Sequence, residues 1–274
     1  MSMLMVNQDK CNSCGICVVE CPVGIIEIMD SEEYPVWIEG GEERCIKCGH
    51  CVAVCPLAAI GIETMMPQDC ALVRKELLLS PEQAEHFLKT RRSIRTYKQE
   101  PVPRETLEKL IDIASYAASG HNTQPLSWLI IEDSQEVRRL AGMVVDWMRV
   151  AMKEMPGLAD FLHFDSIVND WDQGRDRIMR SAPHAIVVHA PADDMMAPGD
   201  APIALTYLEI ASYGLGLGAC WAGFLMLGAT FSTPVLEALQ LPEGHKYMGA
   251  LMVGYPQYKY SRIPLKNKPS IVWR

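Results

Sequence analysis

The sequence predicts an α+β protein with a small cysteine-rich domain and a larger body, and three observations lead to that class. Eight of the ten cysteines lie in two similar dodecapeptides, at residues 11–22 and 45–56. Several segments of the body show the i, i+3, i+4, i+7 apolar spacing of amphipathic helices. The order of elements predicted for the body, α–α–β–α–β–α–α–β, is too irregular for repeated βαβ units, which favours α+β.

Composition and charge limit the classes of partner. The chain has 274 residues, of which 49% are hydrophobic, enough for a sizeable core. Its formal net charge is −9, and residues 1–66, with three basic and ten acidic side chains, carry −7 of it. A nucleic-acid surface needs clustered Lys and Arg, so we expect no nucleic-acid partner.

One segment has the length and apolarity of a membrane span. Residues 210–236 contain no charged side chain and are long enough to cross a bilayer. Repeated glycines and Pro234 interrupt the segment, so a buried helix followed by a cofactor loop explains it better. The opening residues, MSMLMVNQDK, lack the basic and apolar regions of a signal peptide. We therefore expect no membrane partner and a cytoplasmic, reducing location.

Each dodecapeptide has the spacing C-x2-C-x2-C-x3-C-P. Zinc sites usually pair two C-x2-C knuckles across a longer gap, so this rhythm fits zinc poorly. A disulfide framework is typical of small secreted domains, and nothing here indicates secretion. The duplicated spacing is that of bacterial two-cluster ferredoxins, in which the fourth cysteine of each run ligates the other cluster. We predict a 2[4Fe–4S] ferredoxin-type domain over residues 1–66.

The resemblance to those ferredoxins implies a crossed set of ligands. One [4Fe–4S] cluster is expected on Cys11, Cys14, Cys17 and Cys55, and the other on Cys45, Cys48, Cys51 and Cys21. Gly15 and Gly49 would let backbone N–H groups approach the sulfurs. Cys70 and Cys220 lie outside the pattern, and we expect a linker thiol and a small buried hydrophobic residue there.

A linker over residues 67–79 is expected to lead into a body over residues 80–274. Ser80, Pro81 and Gln83 predict the start of a helix with a capping box. A second helix is predicted between Pro103 and Gly120, with Leu107, Leu110, Ile111 and Ala114 on one face. Residues 140–180 are expected to form a helical excursion, followed by a buried strand at 182–190. The rest is expected to contain a helix over about 200–213, a short helix from Thr233 and an apolar strand at KYMGALMVGYP.

The stretch GLGLGA at residues 214–219 matches the G-x-G-x-x-G/A pattern of dinucleotide sites. That fingerprint follows a strand and precedes a helix, whereas this stretch follows a predicted helix. We therefore expect no Rossmann site there. The sequence has neither a G-x-S-x-G elbow nor an H-E-x-x-H motif, so nothing indicates a hydrolase.

Four landmarks of the body together resemble the FMN-dependent nitroreductase family, and the whole chain resembles its ferredoxin-fused members. They are RRSIRTY at 91–97, ASGHNTQP at 118–125, GLGACWAGF at 216–224 and VGYP with YSRIP within 253–264. The resemblance implies a central, mostly antiparallel sheet flanked by helices. It also implies a homodimer with FMN at the subunit interface.

The same resemblance implies a set of FMN-binding residues. Arg95 and Gly223 would tune the flavin, Arg95 by placing a cation near N1 and O2, while no side chain stands out as a general acid. One departure is Tyr260, where many relatives have a lysine, and Lys259 is expected to substitute for it. The full implied set is Arg91, Arg92, Ser93, Arg95, Ser119, Asn122, Gln124, Ala222, Gly223, Lys259 and Arg262.

The implied activity is an FMN-dependent oxidoreductase that receives electrons through two [4Fe–4S] clusters. Its acceptor would be small and electron-poor, of the nitroaromatic, quinone or enone type, and its donor reduced ferredoxin or NAD(P)H. One alternative is an electron-transfer protein in which FMN links one- and two-electron partners. Another is an enzyme that acts on the flavin itself or on a halogenated aromatic. The aromatic side chains expected either to line the substrate pocket or to pack in the core are Trp147, Phe161, Phe164 and Trp171.

Overall fold

The computed structural model describes residues 4–30 and 33–274. The chain divides into two compact units. The first comprises Met1–Leu78 and the short segment His121–Thr123, and the second comprises Leu79–Gly120 and Gln124–Arg274. Among the described residues, no helix combines the length and apolarity needed to cross a lipid bilayer.

The first unit is built from short elements around a small core. Strand β1 (Leu4–Val6) pairs antiparallel with β4 (Ile60–Ile62), and β2 (Ile26–Glu27) pairs antiparallel with β3 (Val36–Trp37). Three short helices lie between them: α1 (Ile16–Val19), α2 (Gly41–Arg44) and α3 (His50–Val54). The fully buried aliphatic side chains are few and include Ile25, Ile26, Val52, Ile60 and Ile62.

The sequence duplication of the first unit is also a duplication of backbone conformation. Gly15 and Gly49 precede α1 and α3 with φ of 71° and 74°. Ser13 and Lys47, each two residues before those glycines, both have φ of 53°. The left-handed region is costly for a residue with a Cβ, which favours glycine at 15 and 49, whereas Ser13 and Lys47 adopt it at that cost in both copies.

The second unit contains a four-stranded antiparallel sheet. Its strands are β5 (Ser127–Ile131), β6 (His184–Pro191), β7 (Gly218–Trp221) and β8 (His245–Gly254), in the order β5-β6-β8-β7. The antiparallel sheet that the resemblance implied is confirmed. Strand β7 lies where a cofactor loop was expected, so that detail was wrong. Four residues between glycine-rich turns carry too little alternation to predict a strand, and pairing with β8 stabilises it.

Eight helices are described in the second unit, and they cover both faces of the sheet. Their bounds are α4 (Pro81–Thr90), α5 (Arg104–Ser115), α6 (Ser134–Glu154), α7 (Pro156–Leu162), α8 (Phe164–Asp172), α9 (Ala197–Gly214), α10 (Gly223–Phe231) and α11 (Thr233–Ala238). Along β6, Ala185 and Val187 join the core formed by α6, α8 and α10, whereas Ile186 and Val188 join the core formed by α5 and α9. This alternation explains the continuous apolar sequence of a strand that is covered on both faces.

The local helix signals were mostly correct. The capping box of α4 is present: the amide of Gln83 donates to Ser80 Oγ at 3.2 Å, and the amide of Ser80 donates to Gln83 Oε1 at 2.9 Å. Helix α5 ends at Ser115, before the predicted stop at Gly120. The chain then makes a turn in which His121 and Asn122 have positive φ, a conformation that no helix continues through.

Candidate flavin and iron–sulfur sites

The cysteines of the first unit surround two separate cavities. One is lined by three cysteines of the first dodecapeptide and the last cysteine of the second: Cys11, Cys14, Cys17 and Cys55. The other is lined by Cys21, Cys45, Cys48 and Cys51. The folded chain therefore groups the sulfurs in the crossed manner implied by the resemblance to two-cluster ferredoxins.

Four cysteine sulfurs line each of these two cavities. In the described part of the chain, no three Cys, His, Asp or Glu side chains converge on one ion position. Burial, followed by the neighbouring cysteines, raises the pKa of Cys51 to about 11. Iron would offset the cost of ionising these thiols, because coordination deprotonates a thiol outright. Four soft sulfurs around each cavity thus fit a [4Fe–4S] cluster.

In the second unit, the arginine-rich segment 91–97 lies along strand β7. The amide of Ile94 donates to the carbonyl of Ala219 at 3.0 Å. The Ile94 side chain occupies the space that a Cβ at Gly218 would need, since that atom would lie 2.4 Å from Ile94 Cγ1. Glycine at 218 is therefore what allows the arginines to approach the sheet edge.

Arg91 forms an ion pair with a carboxylate of helix α9. Its Nη1 lies 2.8 Å from Glu209 Oε1. The Glu209 side chain is only 9% exposed, against 28% for Arg91, so the pair is shielded from water on the Glu209 side. Most of the Arg91 charge is thus already compensated within the protein, which the sequence alone did not indicate.

Arg92 faces a cavity of about 320 Å³. The cavity is also lined by Lys259, by the hydroxyl-bearing residues Tyr213, Tyr258 and Tyr260, and by backbone at Gly216. Arg92 Nε is buried and has no hydrogen-bond partner among the described residues. Two cations and several potential hydrogen-bond donors around an open space fit a phosphate and its polar chain. The departure at Tyr260 is accommodated, because Lys259 lines the same cavity.

Arg95 and Gly223 line a second cavity, of about 280 Å³. Its wall is partly apolar, with Leu162, Phe224 and Met252. Burial is the main cause that raises the pKa of the Cys220 thiol in this cavity, and nearby Arg95 lowers it. Cys220 is indeed a buried small residue, as expected.

Only one of the two predicted backbone donors is available at the start of α10. The amide of Ala222 donates to the carbonyl of Ala250 at 3.0 Å, so it is already used inside the sheet region. Gly223 is exposed, and α10 has no side-chain N-cap. Because amides of a first helical turn lack intrahelical acceptors, Gly223 is the donor that can face a ligand.

Ser119 and Gln124 line a third cavity, of about 120 Å³, that contains neither Arg92 nor Arg95. The amide of Gln124 donates to Ser119 Oγ at 3.2 Å. The carboxylate of Asp200 is buried in the same cavity wall; its Oδ1 accepts from Gly120 N–H at 3.0 Å, and its Oδ2 is unpartnered among the described residues.

Asn122 belongs to the first unit, where its Nδ2 donates to the carbonyls of Ile46 and Lys47, both at 3.1 Å. Arg262 is exposed within residues 257–274, which carry no helix or strand. One chain therefore does not gather the whole implied flavin set in one place.

The four aromatic candidates for the substrate pocket have different environments. Trp147 and Phe164 are buried in the core and pack edge-to-face at 5.5 Å. Phe161 is 79% exposed, and Trp171 lies under the guanidinium of Arg138 at 5.0 Å. None of the four lines the Arg95 cavity, although Leu162, the neighbour of Phe161, does.

Comparison with known proteins identifies both parts of the chain. Residues 88–255 match the model of the nitroreductase family, and residues 10–59 match the 4Fe–4S dicluster domain. Relatives include an iodotyrosine deiodinase of Danio rerio, 25% identical over 70% of this chain and 66% of that protein. An FMN reductase [NAD(P)H] of Bacillus subtilis is 25% identical over 63% of this chain and 66% of its own length. The chain thus spans about two thirds of the length of these two relatives.

Solved structures share the fold of the second unit. A nitroreductase with bound FMN from Desulfitobacterium hafniense superposes with a TM-score of 0.56 at 20% identity, covering 71% of this chain and 100% of that one. One from Bacteroides fragilis, also with bound FMN, gives 0.55 at 20% identity, covering 70% and 99%. With the family model covering more than half of its residues, the chain belongs to the nitroreductase family, as a flavin-dependent oxidoreductase with a 4Fe–4S dicluster domain.

Proposed function

We propose that the protein takes electrons in through its two [4Fe–4S] clusters and delivers them, by way of FMN, to a small electron-poor acceptor. The observation that carries this proposal is the pair of basic cavities beside β7, one with Arg92 and Lys259 and the other with Arg95 and Gly223. When bound, FMN supplies the exchange between single electrons and hydride equivalents.

We expect the phosphate of FMN in the Arg92 cavity and its ring system in the Arg95 cavity. Arg92 and Lys259 would hold the phosphate by charge-assisted hydrogen bonds. Arg95 would place a cation beside the pyrimidine edge of the ring system, where it favours an anionic reduced form. The exposed amide of Gly223 would donate to the same edge. Arg262, from the exposed tail, is a further candidate for the phosphate.

The separation of the candidate residues supports a two-chain site. Ser119 and Gln124 line a cavity apart from Arg95, so a second copy of the chain is the natural source of their contact with a flavin held by Arg95. Helix α9 also leaves apolar surface uncovered, with Ile203 42% and Tyr207 44% exposed. We therefore expect a homodimer in which each flavin touches both chains.

The shape of the Arg95 cavity favours an enzyme over an electron carrier. A space of about 280 Å³ with an apolar wall is near the lower end of the size range of small-molecule sites. FMN needs part of this space in either function, but an apolar wall of Leu162, Phe224 and Met252 suits an organic acceptor beside the flavin. Nitroaromatic, quinone and enone acceptors are planar and fit a slot of this kind.

Anaerobic reduction of the full-length protein tests the electron route. Reduced ferredoxin, NADH or NADPH is mixed with the oxidised protein, while cluster reduction is followed by electron paramagnetic resonance and FMN bleaching by absorbance. We expect reduced ferredoxin to reduce the clusters first and FMN afterwards.

Reduction of FMN before the clusters would contradict the proposal that electrons enter through the clusters. If NADH bleaches FMN at the faster rate while the clusters stay oxidised, the clusters are not the entry route. A matched control is the same experiment with excess nitroaromatic acceptor: turnover sustained by ferredoxin supports the enzyme, whereas reduced FMN that persists beside every acceptor supports the electron carrier.

A further inference from the structure

The cavity of Arg95 and Gly223 is rich in positive charge. Two further guanidinium groups line it, those of Arg177 and Arg180. Both precede strand β6, in a segment outside the four landmarks that resemble the nitroreductase family. The rest of the lining is mostly apolar, including Leu162, Phe224 and Leu227.

An unusual turn holds Arg180 in place. Arg180 and Ser181 have φ of 56° and 52°, and the left-handed region is unfavourable for two successive residues with side chains. Asp176 offsets that cost with both of its oxygens. Oδ1 accepts from the amides of Ile178 and Met179 at 2.8 and 2.9 Å, and Oδ2 accepts from the amide of Ser181 at 2.9 Å.

Such strain persists where the surrounding structure over-determines it, and it concentrates at functional sites. Here the carboxylate of Asp176 fixes the backbone on both sides of Arg180 but forms no ion pair with its guanidinium. Asp176 attracts the charge of Arg180 through space, but the turn leaves the guanidinium N–H groups without a hydrogen bond among the described residues.

The charges of the three arginines are compensated to different degrees. Arg177 Nη1 lies 3.1 Å from Asp170 Oδ2 and 3.1 Å from Ser166 Oγ. Arg95 makes a long contact, 3.5 Å, to the carbonyl of Ser93, and its place near the flavin edge is already proposed. Arg180 has no ion pair or hydrogen bond from its guanidinium within the described ranges.

The surroundings of Arg180 disfavour its charge. Burial, followed by the positive charges of Arg177 and Arg95, lowers the pKa of the Arg180 guanidinium. Cys220 and the carboxylate of Asp176 act in the opposite direction but are the smaller effects. A cation that is partly buried, repelled by two others and not hydrogen-bonded to a carboxylate among the described residues is stabilised further by an anion entering the cavity. Its planar fork matches a carboxylate bidentately.

We propose that Arg180 binds an anionic group of the acceptor, so that the substrate class is planar, electron-poor compounds that carry a carboxylate. The proposal rests on the proposed function, because it assigns the acceptor of the same cavity. It separates the roles of the cations: Arg95 serves the flavin, and Arg180 serves the substrate.

A pair of near-isosteric probes tests the proposal by direct binding. Equilibrium dialysis of the FMN-containing protein compares 4-nitrobenzoate, an anion, with 4-nitrobenzamide, which is neutral. We expect the benzoate to bind at least tenfold more tightly, with a preference that falls as salt is raised. In Arg180→Gln, the benzoate should lose about 10- to 100-fold in affinity, as expected for a charge-assisted hydrogen bond, and the amide less than threefold.

Two variants control for charge and for local folding. Arg180→Lys should regain part of the preference, because it restores the charge without the fork. Arg175→Gln removes a cation of the same segment that pairs with Asp170 and does not line the cavity, and it should behave like the unsubstituted protein.

Each contrary result has a separate meaning. Equal affinity for the two probes in the unsubstituted protein, or equal losses for both in Arg180→Gln, overturns the proposal. Loss of FMN from Arg180→Gln makes Arg180 a flavin ligand and also overturns it. If neither the unsubstituted protein nor its variants bind FMN, the proposed function is refuted instead; dialysis of the flavin-free protein and of its Arg180→Gln variant then still reports whether Arg180 selects the anion, and equal affinities there overturn the proposal.

Discussion

Arg91 and Arg92 are adjacent in sequence, and the structure predicts that replacing them affects two different properties, stability for Arg91 and FMN binding for Arg92. Arg91 is committed to Glu209, whereas Arg92 faces a cavity with Lys259 and has a buried, unpartnered Nε among the described residues. Arg92→Met should therefore weaken FMN binding. Arg91→Met should mainly lower the free energy of unfolding.

The magnitudes follow from the environment of each guanidinium. A hydrogen bond to a charged group contributes about 1.5–3 kcal/mol, so Arg92→Met should raise the Kd of FMN by about 10- to 150-fold. Breaking a buried ion pair costs about 3–5 kcal/mol, and an exposed pair contributes about 1 kcal/mol or less. Glu209 is 9% and Arg91 28% exposed, so we expect Arg91→Met to cost an intermediate amount, about 2 kcal/mol.

Two assays separate these effects. The Kd of FMN is measured by quenching of its fluorescence, with riboflavin as the ligand that lacks the phosphate, and unfolding in urea is followed by circular dichroism. Arg92→Met should bind riboflavin as the unsubstituted protein does. The double variant Arg91→Met with Glu209→Gln should recover most of the lost stability, because no unpaired carboxylate remains.

One result would refute this reasoning. If Arg91→Met raises the Kd of FMN as much as Arg92→Met and leaves the unfolding free energy unchanged, the ion pair with Glu209 does not hold Arg91 away from the cofactor. The family resemblance, which placed both arginines at the phosphate, would then describe the site better than the ion pair does.

Three further predictions concern the body and the clusters. Burial lowers the pKa of His184, and its Nε2 accepts from Val102 N–H at 2.8 Å. The contribution of the neutral imidazole to stability should therefore be present above about pH 6.5 and be lost as the pH falls below that value. His184→Gln should reduce this pH dependence of the unfolding free energy, measured in urea. Gly218→Ala, whose Cβ would clash with Ile94, should cost about 1–3 kcal/mol and weaken FMN binding; normal affinity would contradict the assigned packing. Removal of iron with a chelator under anaerobic conditions should unfold the first unit, whose core is small; circular dichroism should then lose its part of the signal while FMN stays bound.

Local interactions made much of the fold predictable. The capping box of Ser80 and Gln83 involves residues three apart, and the buried face of α5 follows from periodicity alone. Strand β6 was recognisable because a strand covered on both faces is apolar throughout. Strand β7 was missed, since four residues without alternation become a strand only through pairing with β8.

The candidate site was only partly predictable, because charges far apart in sequence decide it. Arg91 and Glu209 are 118 residues apart, and no spacing rule links them. Nothing in the sequence around Arg177 and Arg180 indicated that they line a cavity. Their place just before a buried strand is the one sequence feature that could have suggested it. The amide of Ala222 matched the expected turn, but its acceptor on β8 is visible only in the sheet.

By itself, the sequence determined the chemistry that this protein can support, because the two C-x2-C-x2-C-x3-C-P dodecapeptides and the arginine-rich segment 91–97 are each written in consecutive residues.

 The spacing of the eight cysteines survives in any conformation, and it alone indicates iron–sulfur chemistry. Only the tertiary structure decided which charges remain available: Glu209 neutralises Arg91, whereas Arg92 and Arg180 face open cavities. The physical reason is that the effective charge of a side chain depends on its burial and its partners, and folding brings those partners from distant parts of the chain.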